Sequence, residues 1–259
     1  MANFLSNLFT KNDQLSVDQV IIKRTVISFF FFFILAAGAF LGWKWLRNQP
    51  PTADGTSKSL RNVLNINESV FRGLLSNNNL AKEYPVSAAV KNARVNGNAG
   101  MSDGFDPAAW KMQVVKRNGD TLKITLDDIK KLPKTETIFN FKCIEGWSEI
   151  THWGGVRFAD FIRAYGLEEE RGIKYVGLST PDNGYYVGID MASALHPQTL
   201  LCYELNDQPL PMNQGYPLRL IIPVKYGIKS LKRIGSMYFD NERPKDYWAE
   251  RGYDYFSGL

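Results

Sequence analysis

The stretch Phe139–Trp153, FNFKCIEGWSEITHW, gathers the residue types that do chemistry. It holds Cys143, one of two cysteines in 259 residues, and His152, one of two histidines, with Glu145, Trp147 and Trp153 beside them. A thiolate is a nucleophile and a soft metal ligand. A carboxylate two positions on is a candidate for moving a proton, and in an apolar pocket its pKa would rise. Tryptophans wall apolar pockets, or pack a core. A nucleophilic pair of Cys143 with His152 or His196 is one reading. A structural Cys143–Cys202 bridge outside the cytoplasm is another. A structural zinc asks for about four protein ligands, which two Cys, two His and no C-x-x-C pair supply poorly. A metal at Cys143 would therefore draw most of its ligands from something other than the protein, such as an organic cofactor.

A second segment, Asn213–Ile234, reads NQGYPLRLIIPVKYGIKSLKRI. Pro217 and Pro223 bracket a strand that carries Arg219, and Lys225, Lys229, Lys232 and Arg233 fall within nine residues, among Tyr226, Gly227 and Ser230. Backbone N–H groups with Lys and Arg beside them make a phosphate cradle. The competing reading is a solvated basic strand edge that deters aggregation. His196, before Pro197, reads as a turn or core hydrogen-bonder, and Cys202, in TLLCYEL, as an inert core cysteine.

The elements that must position these groups follow from periodicity and punctuation. Val26–Leu46 carries one charge, Lys44, and as a helix would span roughly 30 Å, enough to cross a bilayer. A buried core helix and a cleaved signal peptide compete with this. Ala37-Gly38-Ala39 has the form of a cleavage site, but the apolar run continues past it, which favours an uncleaved anchor. The basic residues flanking the run, Lys11, Lys23 and Arg24 before it and Lys44 and Arg47 after it, orient it weakly. We read residues 1–25 as a cytoplasmic segment, 26–46 as a transmembrane helix, 47–65 as a Pro/Gly/Ser/Thr-rich linker, and 66–259 as one domain. The first fifty residues hold five Lys and Arg against two Asp and Glu, so 26 basic face 24 acidic residues in the rest. That balance offers no basic tract for nucleic acid.

Within the domain, a short helix is expected around Val70, Phe71, Leu74 and Leu75. WKMQVVK and TLKITL flank the hairpin turn Asn118-Gly119, and a short helix follows to Pro133. ETIFNFKCI alternates as a strand ending near Cys143. VRFADFIRAYGL is an amphipathic helix stopped by Gly166, with Phe158, Phe161, Ile162 and Tyr165 on one face. Five strands follow, in IKYVGLST, YYVGID, TLLCYEL, LRLIIP and LKRIGSMYF. The class is α+β with mixed or antiparallel sheets.

Taken together, KCIEGWSEITHW, YVGLST, LHPQTL, YPLRLIIPVKYGIKSLK and NERPKDYW resemble the molybdopterin-binding domain of the sulfite oxidase superfamily, nearest to its periplasmic methionine-sulfoxide reductase branch, over roughly residues 85–250. The resemblance implies molybdenum held by a pterin dithiolene and one thiolate, that of Cys143. It implies cofactor contacts at Asn92, Arg94, Thr180, Gln214, Arg219, Lys229, Ser230, Leu231 and Lys232. It implies pocket or proton-relay roles for Glu145 and Trp147, a sulfoxide substrate (a small molecule or a protein), and a haem-bearing membrane subunit as electron donor. Where that reductase has Asn, this chain has Gln214. The Cys-x-Glu-x-Trp form, with Glu145 repelling an anion such as sulfite, favours a neutral sulfoxide. Lys23-Arg24 stands where a twin-arginine export signal would stand, so the domain is expected on the periplasmic side of a single-pass anchor. Sulfite oxidation and a non-catalytic anchored interaction domain are the alternatives.

Overall fold

The structure, a computed structural model, describes residues 14–52, 56–74, 79–95 and 97–259. Lys11, residues 53–55 of the expected linker and Leu75 lie outside the described residues. The chain divides into two compact units, Met1–Pro51 with Ser57–Ser59, and Thr52–Thr56 with Leu60–Leu259.

The first unit is built on one helix, α1 (Val17–Arg47). It starts upstream of the expected Val26 because a capping box sets its first turn: the Gln19 N–H donates to Ser16 Oγ, and the Ser16 N–H to Gln19 Oε1. None of its residues is buried, and it is long and apolar enough to cross a membrane.

α2 (Lys58–Leu74) runs through residues 58–65, which composition assigned to the linker. The breakers end too early for a linker of that length: from Leu60 to Arg72 there is neither Pro nor Gly, and apolar residues recur at helical spacing.

Two five-stranded sheets form the rest. The first is mixed, ordered β2-β1-β10-β5-β6, from β1 (Met112–Val115), β2 (Thr121–Ile124), β5 (Tyr175–Ser179), β6 (Tyr186–Asp190) and β10 (Ser236–Asp240). Only β1 and β10 run parallel in it. The second is antiparallel, ordered β3-β4-β7-β8 with β9 also on β7, from β3 (Thr135–Lys142), β4 (Ser148–Arg157), β7 (Leu200–Leu205), β8 (Gln208–Pro209) and β9 (Arg219–Ile221). Three short helices, α3 (Leu126–Lys130), α4 (Phe158–Ala164) and α5 (Met191–Ala194), fill the connections. α4 buries Phe158, Phe161 and Ile162, as its periodicity requires.

Successive side chains of a strand point to opposite faces, and β7 is buried on both. Leu201 and Tyr203 join the larger core, with Val156, Leu220 and Met237. Leu200, Cys202 and Leu205 join a smaller one, with Phe139, Trp153 and Ile221. The smaller core backs the site.

β4 is the strand the sequence hid, because Gly154-Gly155 interrupts its pattern. The register against β7 shifts between these two glycines. A Cβ on Gly155 would lie 2.2 Å from the Leu201 carbonyl oxygen, so the strands approach there more closely than any side chain allows. Gly155→Ala is expected to cost about 1–3 kcal/mol or more in denaturant unfolding, as overpacking does. Gly104→Ala, whose Cβ would meet nothing within 4 Å, should stay within about 0.5 kcal/mol of wild type.

Candidate active site

β3 and β4 form a hairpin whose last pair is Lys142 with Ser148, leaving residues 143–147 as its loop. The Cys143 N–H donates to the Trp147 carbonyl (2.9 Å) and the Gly146 N–H to the Cys143 carbonyl (3.1 Å). The loop closes through Gly146 at φ +91°, a conformation open to glycine. This holds Cys143, 4% exposed, in the wall of a cleft with about 970 Å³ of empty space including its mouth. Thr151 and Trp153 of β4 line the same wall, and the Trp153 indole N–H donates to Thr151 Oγ1 (2.7 Å).

A second part of the lining comes from β9 and the segment after it. The Arg219 guanidinium lies over the Trp153 ring, 4.5 Å from its centroid. It donates to the Gln214 carbonyl (3.1 Å), Gln214 Oε1 (2.8 Å) and the Ser230 carbonyl (3.3 Å). All three partners are neutral, and burial lowers its pKa to about 10, so it stays charged at neutral pH. Arg219 Nε and Ser230 Oγ are buried without a hydrogen-bond partner among the described residues. Gln214 Nε2 donates to the carbonyls of Ala93 and Arg94 (3.2 Å each), so one amide ties Arg219 to the third wall. There the Arg94 N–H donates to Glu149 Oε1 (2.7 Å), its guanidinium covers the Trp147 ring at 4.7 Å, and Lys232 Nζ donates to the Gly97 carbonyl (2.6 Å). Burial, and then the Arg219 charge, lower the Lys232 pKa to about 8.

The basic segment thus divides. Lys225 is buried against Asp190 (2.9 Å), and Lys229 against Asp246 and the Gly188 carbonyl (3.0 Å). Arg219 and Lys232 line the cleft. The solvated-edge reading fails, since Arg219, Lys225, Lys229 and Arg233 are all buried.

Of the residues singled out in the sequence, the cleft brings together Arg94, Cys143, Glu145, Trp147, Gln214, Arg219, Ser230 and Lys232. Asn92, Thr180, Lys229 and Leu231 do not line it. Asn92 is exposed. Thr180 Oγ1 donates to Asp182 Oδ1 (2.6 Å) and accepts from the Tyr185 N–H (3.1 Å), and Leu231 is fully buried in the core. Glu145 is exposed, accepting from the Trp147 indole N–H (3.2 Å), so its carboxylate is not enclosed by the apolar pocket expected around it. His152 alternates away from Thr151 and Trp153, and its Nε2 meets Glu136 Oε2 at 3.2 Å. Neither His152 nor His196 lines the cleft, so no Cys–His pair forms. Cys143 and Cys202 form no disulfide, and full burial pushes the Cys202 thiol up, as an inert core cysteine requires. Sequence reasoning missed Tyr185, Trp248 and Tyr253 as lining residues. Trp248 ends the recognisable NERPKDYW, while Tyr185, whose hydroxyl donates to the Ile228 carbonyl (2.6 Å), carried no signal.

The model of the oxidoreductase molybdopterin binding domain matches residues 99–248. A chain of Azospira oryzae named "Putative protein-methionine-sulfoxide reductase subunit YedZ1" is 35% identical over 207 residues, covering 79% of this chain and 78% of that one. The protein-methionine-sulfoxide reductase catalytic subunit MsrP of Campylobacter jejuni is 29% identical over 228 residues, covering 83% and 73%. The mitochondrial sulfite oxidase of Rattus norvegicus is 30% identical over 180 residues, covering 59% of this chain and 33% of its own.

The cleft fits a molybdopterin. It offers one soft ligand in Cys143, a buried N–H and a hydroxyl without partners at Arg219 and Ser230 among the described residues, and three cations, Arg94, Arg219 and Lys232, for an anionic group. Gln214→Leu keeps the volume and removes the amide that joins two walls. It is expected to cost about 1–3 kcal/mol in chemical denaturation, the range for leaving buried polar groups unmatched.

Proposed function

The chain belongs to the oxidoreductase molybdopterin-binding domain family, and from that premise we propose that it is a membrane-anchored enzyme that reduces a sulfoxide. The observation that carries this reading is the buried Cys143 thiol lining one cleft with a buried Arg219 whose hydrogen-bond partners are all neutral. Bound there, the cofactor supplies two-electron oxygen-atom transfer. Cys143 is its protein ligand. Arg219, Ser230, Lys232 and Arg94 bind its polar and phosphate groups. Gln214 positions Arg219, while Thr180, Lys229 and Leu231 act from behind the wall, holding the segments that carry these contacts. Asn92 belongs to the loop that closes the cleft at Ala93 and Arg94.

Reducing a sulfoxide to a sulfide and water consumes two electrons and two protons. Glu145, at the solvent-facing mouth, exchanges protons between water and the cleft. Trp147, Trp153 and Trp248 shape an apolar slot beside it. Two carboxylates, Glu145 and Glu149, line the cleft, which suits a neutral sulfoxide, and the relatives' names point the same way. The second reading, sulfite oxidation, rests on the three cations Arg94, Arg219 and Lys232 in the same cleft. α1 is the anchor, with residues 1–25 cytoplasmic and the catalytic domain periplasmic. Lys23-Arg24 serves as the export signal. The electrons come from a haem-bearing membrane subunit.

The test is turnover by chain purified from a host that makes the cofactor. Stoichiometric molybdenum, with reduction of methionine sulfoxide by a dithionite-reduced dye and no oxidation of sulfite, is the expected result. Sulfite turnover alone would replace this reading with the second, and a well-folded chain without molybdenum would sink both.

A pH dependence follows from Lys232. Its pKa of about 8 means it is cationic below that pH and neutral above it. Sulfate keeps its charge across this range, so its binding to cofactor-free chain should weaken several-fold between pH 7 and pH 9. In Lys232→Met the titration should be nearly flat. Both would be followed by calorimetry.

A further inference from the structure

α2 is built inside out. Its inward side is polar: the buried Glu68 Oε2 accepts from Arg243 Nη2 (2.6 Å), Asn65 Oδ1 from Arg243 Nη1 (3.3 Å), and Arg61 Nη2 donates to the Ala249 carbonyl (2.5 Å). Leu64 is the one apolar residue beside them, half-buried. Its apolar residues, Leu60, Val63, Ile66, Val70, Phe71 and Leu74, are all exposed, with Ile66 at 63% and Leu74 at 65%. At 100° per residue Val63, Ile66, Val70 and Leu74 fall on one stripe, opposite Arg61, Leu64 and Glu68. A helix with its moment pointing away from the protein core is stable only if something else covers that face. α2 follows the membrane-crossing run closely in sequence. Twelve residues lie between Arg47 and Leu60, a span that at full extension reaches no more than about 45 Å. A helix so tethered is held at high effective concentration near the lipid interface. A strongly amphipathic helix with a polar opposite face is the type that lies in the plane of that interface.

We propose that α2 is an interfacial helix, with its Val63–Ile66–Val70–Leu74 stripe sunk into the headgroup–acyl boundary of the bilayer that α1 crosses. The helix thereby fixes the catalytic domain against the membrane surface instead of leaving it on a free tether. This rests on the anchor assigned above.

The test uses the full chain in vesicles of phosphatidylethanolamine and phosphatidylglycerol. Nitroxide labels go on single variants Ile66→Cys, Val70→Cys, Asn62→Cys, Ser69→Cys and, within α1, Leu35→Cys; wild type, with both cysteines buried, gives the background. Power-saturation spectroscopy compares collisions with oxygen, which enriches in lipid, and with a water-soluble nickel chelate. The expected result is oxygen-dominated labels at 66 and 70, chelate-dominated labels at 62 and 69, and an oxygen-dominated label at 35. A lipid-exposed 35 with 66 and 70 in water overturns the interfacial helix and leaves the anchor standing. An aqueous 35 overturns both. Labels at 66 and 70 shielded from both reagents mean that a protein covers the stripe, which also overturns the proposal.

Discussion

The site depends on one buried positive charge. Arg219 sits on β9 with its guanidinium against Trp153, and every hydrogen bond it makes goes to a neutral acceptor. A buried charge without a counter-charge costs several kcal/mol. The neighbouring Lys225 and Lys229 avoid that cost through Asp190 and Asp246, and Arg219 does not. The guanidinium is instead spread over three acceptors on two segments and an aromatic face, which fixes its plane and leaves Nε uncommitted. A protein that tolerates this arrangement is prepared for an anion. The rest of the cleft follows: Gln214 carries the Arg219 interaction to Ala93 and Arg94, and Lys232, its pKa lowered by burial and by Arg219, adds a second charge that is present at neutral pH.

The same cleft holds a thiol, Cys143, that its hairpin places. Cys143 owes its place to the β3–β4 hairpin and the glycine that closes it, so strand register sets its position. Register is a rigid specification, because a slip of one residue would turn Thr151 and Trp153 out of the cleft and His152 in. The exclusion of His152 therefore has the same cause as the placement of Trp153.

Much of this was legible in the sequence. The α+β class, the strand leading into Cys143 and the α4 face followed from periodicity, because each is a local pattern with clear stops. Cys202 was legible as inert from its apolar flanks. β4 was not, because its two glycines serve a close approach to β7, a strand forty-odd residues away, and local pattern carries no trace of that partner. The basic segment was only half legible. Composition counted four cations, but whether Asp190 or Asp246 neutralises one is decided by long-range packing. Glu145 was misplaced for a similar reason: neighbouring tryptophans suggested an apolar pocket, while the hairpin turns its carboxylate to solvent. α2 was cut short because the Pro/Gly/Ser/Thr-rich composition was carried on to residue 65, past the last breaker of the linker.

The central claim is that Cys143 is the single protein ligand of a molybdenum held in this cleft. X-ray absorption at the molybdenum edge of cofactor-loaded chain, wild type beside Cys143→Ser, tests it most directly. The account predicts that the variant keeps the metal but loses one sulfur neighbour to oxygen. An unchanged sulfur shell in the variant would contradict it, because the thiolate on the metal would then have come from elsewhere.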